Sequence, residues 1–591
     1  MSERVVAIGL FREAVQRLGE GQTATAARLA DRARELFLTA ADLDGACAAA
    51  LLRGRTALRV GRLTEAADWL GWAREEALRR GLEPRVLAAT AELAILAEMQ
   101  GNLPTAVAAH RGVLERQRAR DDNLGIAMAA GNVARLLPMI APNSDAGIHE
   151  ARALLAEALE RFQEGPHEAG IANTMICLGN MERVSGDLAA ARSLFEQVAL
   201  LAPSPAVQPM RALAQQNLGH VLRDVGDYRP AVAAYRQAQA LADALGDGHL
   251  ARQATLSRAM TEAHMLPLAA PLAAVEALAQ ALPAVGDTAE PALVQLNLAR
   301  LLGLGGSYRK ALALARAAEL QLRRGRDPSR VEEAIAVRAL VALHAGDARV
   351  AHKWLRQRRA PATPALGRQR WLLRAAVALR ELDLVGFDAA QAALGPDGTW
   401  AELAANAALL VQRAALAGVD GSADAQPLID AAERRAAVLE LTHLRLGLAT
   451  AKLWLGEDAV AAALAAVAEQ TAAGLGWVDL AAHSRAVQAL CSAALPEAVR
   501  LGRNGAAQER GTAWSAAMCL DAAAAIRAGD SAALLAAVTG LRESGDSFRG
   551  LLFLASHGAR QSPPTARRVL ATVEGCGVFV PPWLRRAGGR A

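Results

Sequence analysis

Aromatic residues make up only 3% of this 591-residue chain, while alanine supplies about a quarter of it. Pleated surfaces draw on aromatic and β-branched side chains, so sandwiches, barrels and doubly wound sheets are excluded as the main architecture, and a nearly all-helical chain is expected. Lysine is almost missing: Lys310, Lys353 and Lys452 are the only three, so the net charge of +5 rests on arginine. Cysteine is rare as well. Cys47, Cys177, Cys491, Cys519 and Cys576 are odd in number, far apart and never in a C-x-x-C pair. That argues against a disulfide framework or zinc knuckle and makes them small buried hydrophobes. Long apolar runs are absent too. The longest, Ala459 to Ala468, is about half a membrane span. The N-terminus (Met1, Ser2, Glu3, Arg4, then Phe11, Arg12 and Glu13) has no stretch fit for a signal peptide. A soluble cytoplasmic protein is expected.

A single compact core does not grow to this length, which leaves several domains or an elongated repeat array. Internal repetition decides between them. Glycines suited to a tight helix-to-helix turn stand at Gly21, Gly61 and Gly101, at Gly186 and Gly226, and at Gly306, Gly346 and Gly386, forty residues apart within each run. An insertion at Pro142, Asn143, Ser144 and Asp145 accounts for the longer step between Gly101 and Gly186. Five residues after a turn glycine comes a small residue, and four further on a larger apolar one: Ala66 and Leu70, Ala191 and Phe195, Ala231 and Tyr235. The best copies also carry Leu178-Gly179 or Leu218-Gly219 before the turn. Close packing explains the pattern, because crossing helices need a small residue at the contact and a bulky one beside it.

Met175, Leu178, Gly179, Gly186, Ala191, Phe195 and Pro203 resemble a tetratricopeptide repeat, and Leu218, Gly219, Gly226, Tyr228, Ala231, Tyr235 and Ala238 resemble a second copy. The period of forty exceeds the roughly 34 of the common form and resembles the longer repeats of bacterial regulatory ATPases, kinases and peptide-sensing regulators. The resemblance implies an all-α, right-handed superhelical solenoid of about fourteen antiparallel helical hairpins. The signal is strongest from Ala48 to Asp347. After Gly386 it weakens, since Gly456 with Ala461 and Gly529 with Ala533 lack the larger residues. Four segments follow: N-terminal hairpins in 1–120, the best-conforming array in 121–360, degenerate alanine-rich repeats in 361–560, and a Pro/Arg/Gly tail in 561–591 that is not expected to continue the helix pairs.

Catalytic signatures are missing. There is no G-x-x-x-x-G-K, and Gly303, Gly305 and Gly306 fall in a helix-to-helix turn, not after a strand. His149-Glu150 and His167-Glu168 lack the second histidine a metal site needs, and no nucleophile elbow occurs. The expectation is a non-enzyme with no catalytic residues, no cofactor and no metal.

Function should instead show on the first helix of each hairpin, since these line the concave surface of a superhelix. Aligned on the small residue, they read Gly131-Asn132-Val133-Ala134-Arg135, Gly179-Asn180-Met181-Glu182-Arg183 and Gly219-His220-Val221-Leu222-Arg223. Residues i and i+3 are neighbours on a helix. Each repeat thus presents Asn132 with Arg135, Asn180 with Arg183, or His220 with Arg223, and Asn217 lies on the last of these helices. Asparagine can hold a peptide amide from both sides, and arginine grips carboxylates. The partner expected is a protein or extended peptide of acidic character. Peptide-binding members of the family use asparagines on this helix, which is what the resemblance implies for Asn132 and Asn180. The alternative is that these are solvated residues bridging neighbouring repeats.

A basic stretch from Arg323 to Arg374 includes Arg356, Arg358 and Arg359 and offers a second anionic-partner patch. It carries no nucleic-acid motif, and Glu65, Glu98 and Glu182 oppose an RNA-binding groove, so nucleic acid is not an expected partner. The sequence therefore reads as an interaction scaffold. The alternative is a peptide- or metabolite-sensing regulatory subunit that controls a separately encoded kinase, ATPase or transcription factor.

Overall fold

The computed structural model describes residues 3–19, 22–140, 144–165, 167–282, 289–324, 328–356 and 364–491, with parts of 518–587. These hold 28 helices and no strand. The chain divides into two units, Met1–Val184 with Ala202–Met210, and Ser185–Leu201 with Arg211–Ala591.

The first unit explains the beat of forty as two steps of twenty. Thr23–Thr39, Leu43–Arg59, Leu63–Arg79, Glu83–Met99 and Leu103–Ala119 are helices of 17 residues each. In every link one residue turns left-handed: Ala41 (φ 54°), Gly61 (74°), Gly81 (65°), Gly101 (78°) and Asp121 (50°). The next amide reaches back five residues and closes the helix, as Asp42 does to Phe37 at 2.8 Å and Asn102 to Ala97 at 2.8 Å. Where that residue is Asp or Asn it also caps the following helix, as Asp42 Oδ1 accepts from the Gly45 amide at 2.9 Å and Asp122 Oδ1 from Gly125 at 3.0 Å; Arg62 and Leu82 make no such side-chain cap. One short link thus ends one helix and starts another.

The arginines bridge successive hairpins of this unit. Arg85 pairs with Asp44 at 2.7 Å, Arg111 with Glu150 at 2.6 Å and Arg55 with Glu92 at 2.5 Å. Partners separated by about one repeat in sequence are neighbours in a stack, so the charge bias serves the array itself.

Packing follows the small and large pairs read from the sequence. Ala66, Leu70, Ala191, Phe195, Ala231 and Tyr235 are all fully buried. A Cβ added at Gly219 would lie 2.5 Å from the Tyr235 ring, which is why that crossing takes glycine. Gly186, Gly226, Gly306, Gly346 and Gly456 are left-handed turn residues, while Gly21 and Gly529 lie outside the described residues. Gly386 departs from the expected beat. It sits inside the helix Leu384–Leu394, donating its amide to the capping Asp383 carboxylate at 2.9 Å, and the left-handed position falls on Leu382 (φ 59°).

One further expectation needs correction. In the tail, Pro563–Gly575 and Pro582–Ala587 are helices; proline fits a first helical turn, whose amides have no partner within the helix. The second unit, a repeat solenoid as expected, also makes contacts between repeats that are not neighbours in sequence. Tyr228 donates to Glu440 at 2.5 Å, the Leu439 amide to the His264 carbonyl at 3.1 Å, and the Leu268 amide to the Leu475 carbonyl at 3.0 Å. Its chain comes back onto itself about five repeats later. Fully buried Trp454 shares a core with Ala461 and Ala465 and supplies the bulk they lack.

Candidate functional site

In the first unit a groove of about 540 Å³ opens between the first helices of two successive hairpins, Asn123–Ile140 and Glu168–Ser185. The helix Asn123–Ile140 buries Ile126, Ala130, Val133 and Leu137 in the core. Helical spacing leaves Leu124, Met128, Asn132 and Arg135 along another face, and these form one wall. Asn173, Thr174 and Cys177 form the facing wall, with His167 and Glu168 at the end where that helix begins. Met128 is 58% exposed and Leu124 41%. Two bare apolar side chains beside amide-bearing ones make a surface that can cover side chains and bind backbone together.

Arg135 does hold a carboxylate, but one of this chain: its Nη1 and Nη2 meet Glu98 Oε1 and Oε2 at 2.5 and 2.7 Å. That hydrogen-bonded pairing raises its pKa above the ordinary arginine value. Close by, His110 is fully buried and, among the described residues, neither ring nitrogen has a hydrogen-bond partner. Burial, reinforced by Arg135, pushes its pKa down to about 4, so it is an uncharged part of the packing behind the groove wall.

The other predicted residues fall in different settings. Asn180 is exposed and Arg183 half-buried, and neither borders the groove. Asn217, His220 and Arg223 belong to the second unit. There Asn217 is half-buried. His220 sits in a polar chain, with the Tyr235 hydroxyl 2.8 Å from Nδ1 and Gln216 3.3 Å from Nε2. Arg223 pairs with the buried Asp224 at 3.3 Å. Asn173, Met128 and His167 were missed by the sequence reading. Their signal was spacing alone, since Asn173 lies seven residues before Asn180 on the same helix.

Of the basic patch, Arg356 is exposed at the end of the helix Ala348–Leu355, and Arg358 and Arg359 lie outside the described residues. Neighbouring arginines are engaged internally. Arg323 pairs with Glu319 at 2.7 Å, Arg338 lies 4.1 Å over the Trp354 ring, and Arg370 and Arg374 donate to the Leu355 carbonyl at 2.9 and 2.8 Å. The three acids that opposed an RNA groove are also paired, Glu65 with Arg53, Glu98 with Arg135 and Glu182 with Arg152. Among the described residues no group of His, Cys, Asp and Glu is placed to hold a metal, and no helix is long and apolar enough to cross a membrane.

Residues 170–244 match the family model of the tetratricopeptide repeat, so the resemblance carried by the motif residues holds for this stretch. No curated protein matches the chain. Among solved structures it is similar to BtubC from P. vanneervenii, at 20% identity over 39% of this chain and 92% of that one, with a TM-score of 0.32. It is also similar to the apo form of RapI, at 10% identity over 76% and 99% with a TM-score of 0.34. A third is a signal transduction ATPase with a tetratricopeptide repeat sensor from Pyrococcus horikoshii, at 14% identity over 66% and 52% with a TM-score of 0.32.

Proposed function

We propose that this chain is a non-catalytic interaction scaffold that holds an extended segment of a partner protein in the groove between Asn123–Ile140 and Glu168–Ser185. The observation that carries the reading is that Asn132 and Asn173 line the same groove from its two helices, with the exposed Leu124 and Met128 on the Asn132 wall. Each amide offers two donors and an acceptor to a peptide backbone, and the apolar pair covers a side chain between them. With Arg135 held by Glu98, the acidic character of the partner is a lesser feature than its extended backbone. Asn180 and Arg183 extend the surface along the same helix, and Asn217, His220 and Arg223 are its counterparts in the second unit.

The test is affinity capture from native lysate with the wild type beside an Asn132→Ala, Asn173→Ala variant. A protein retained by the wild type and lost from a folded variant supports the groove. Equal retention by both rejects it.

A further inference from the structure

The groove of the first unit carries a glycine that packing does not explain. Gly131 stands in the middle of the helix Asn123–Ile140 and borders the groove, at an interior position where glycine is less stable than any residue but proline. Two other first-helix glycines are explained by close contact. On the facing helix a Cβ added at Gly170 would lie 2.6 Å from the Phe162 ring, as one at Gly219 meets Tyr235. A Cβ added at Gly131 meets nothing within 4 Å among the described residues. The missing side chain therefore leaves a notch in the groove wall.

The notch has defined sides. Met128 lies three residues before Gly131 and Arg135 four after it, so the two side chains flank it on one helix face, about 10 Å apart along the axis. Both border the groove, with Met128 58% exposed and the Arg135 side chain 40%. Arg135 directs Nη1 and Nη2 at the two Glu98 oxygens. That pairing engages the edge of the guanidinium, holds it in place and leaves its faces for a stacking partner. Asn132 stands beside the notch and Asn173 lines the groove from the other helix, so a segment whose main chain these amides hold can pass a side chain into the gap.

We infer that the groove selects an aromatic side chain of the bound segment, seated in the notch at Gly131 between the Met128 thioether and the Arg135 guanidinium. A ring gains on both sides, since a thioether sulfur is attracted to an aromatic ring and the positive guanidinium to the negative face of its π system. A branched aliphatic side chain of similar size gains neither, and a carboxylate finds Arg135 already paired with Glu98. Gly131 is thus a specificity-determining residue, whose missing side chain makes room for one from the partner. The anchor rests on the reading of the groove as the holder of an extended segment, and adds to it the chemistry of the residue selected.

Panning a phage-displayed library of random peptides on the full chain tests this, with the Asn132→Ala, Asn173→Ala variant as the comparison. The expected consensus has Phe, Tyr or Trp at one position. A synthetic consensus peptide should bind the wild type at least about tenfold more tightly than its form with alanine at that position. Gly131→Leu should remove this difference and Gly131→Ala reduce it, while the thermal midpoints stay level or rise because both residues favour a helix. Peptides that need the two asparagines but show no aromatic position, or keep the difference in the Gly131 variants, leave the groove standing and overturn the anchor. So does a thermal midpoint lowered by Gly131→Ala, which would give the glycine a packing role. Equal capture by the asparagine variant, or no capture by the wild type, overturns the groove reading and the anchor with it. Where Gly131→Leu does not fold, Gly131→Ala decides.

Discussion

The Tyr228 hydroxyl donates to Glu440 Oε1 at 2.5 Å across 212 residues of sequence, and His264 Nδ1 lies 2.7 Å from the same oxygen. Glu440 is 4% exposed. Burial opposes its ionisation, yet the charge and hydrogen bond of His264, with the Tyr228 hydroxyl, hold its carboxyl below the ordinary glutamate range. This clasp joins segments of the second unit that the repeat period alone leaves apart.

A group with a depressed folded pKa contributes stability above its unfolded pKa and loses it as pH falls through the folded one. Acidification below the ordinary glutamate range should therefore destabilise the second unit. Glu440→Gln should cost about 1–3 kcal/mol at neutral pH and flatten that acid dependence. Urea midpoints followed by tryptophan fluorescence across pH check both, and a double-mutant cycle with Tyr228→Phe isolates the pair.

His110 gives a second pH signature, in the first unit. Its folded value of about 4 lies below the ordinary 6.5, so the unfolded chain takes up the proton first. Stability falls as pH drops from about 6.5 and the loss levels off near the folded value, with a ceiling of about 3 kcal/mol. His110→Leu should remove this slope from pH-dependent urea unfolding. A slope unchanged by the substitution would mean the ring is solvated.

Two glycines separate close contact from backbone conformation. Gly61→Ala meets open space but a φ of 74°, and should cost about 1 kcal/mol. Gly219→Ala drives a methyl into the Tyr235 ring and should cost about 1–3 kcal/mol. Tyr235→Leu should recover part of the second loss and none of the first, as read from thermal midpoints of the double variants.

The hairpin order was legible because turns and crossings depend on local residue types: a glycine at Gly61 or Gly226, a small residue at Ala66 or Ala231, a bulky one at Leu70 or Tyr235. The beat of twenty was half hidden, since Ala41 and Asp121 take the left-handed position without being glycine, and Gly81 opens a repeat instead of splitting one. Gly386 misled because a glycine also suits a first helical turn beside a capping aspartate. Contacts between distant repeats left no periodic trace. Tyr228 and Glu440 are unrelated in register, and His344, His443 and His483 share a cavity only because their helices converge. In the groove, Asn132 was legible as an amide on a first helix. Asn173 was not, because the aligned motif singles out Asn180, and Asn173 lies seven residues earlier on the same helix.

The most direct test of the scaffold reading is site-specific photo-crosslinking in cells. A photoreactive phenylalanine analogue replaces Met128 in the groove or, as a control, the exposed Leu78 on the second helix of another hairpin. The account predicts a discrete crosslinked partner from position 128, none from position 78, and loss of the adduct when Asn132→Ala and Asn173→Ala are added. A position-128 adduct that survives both substitutions, or no adduct there while the partner still copurifies, would contradict it.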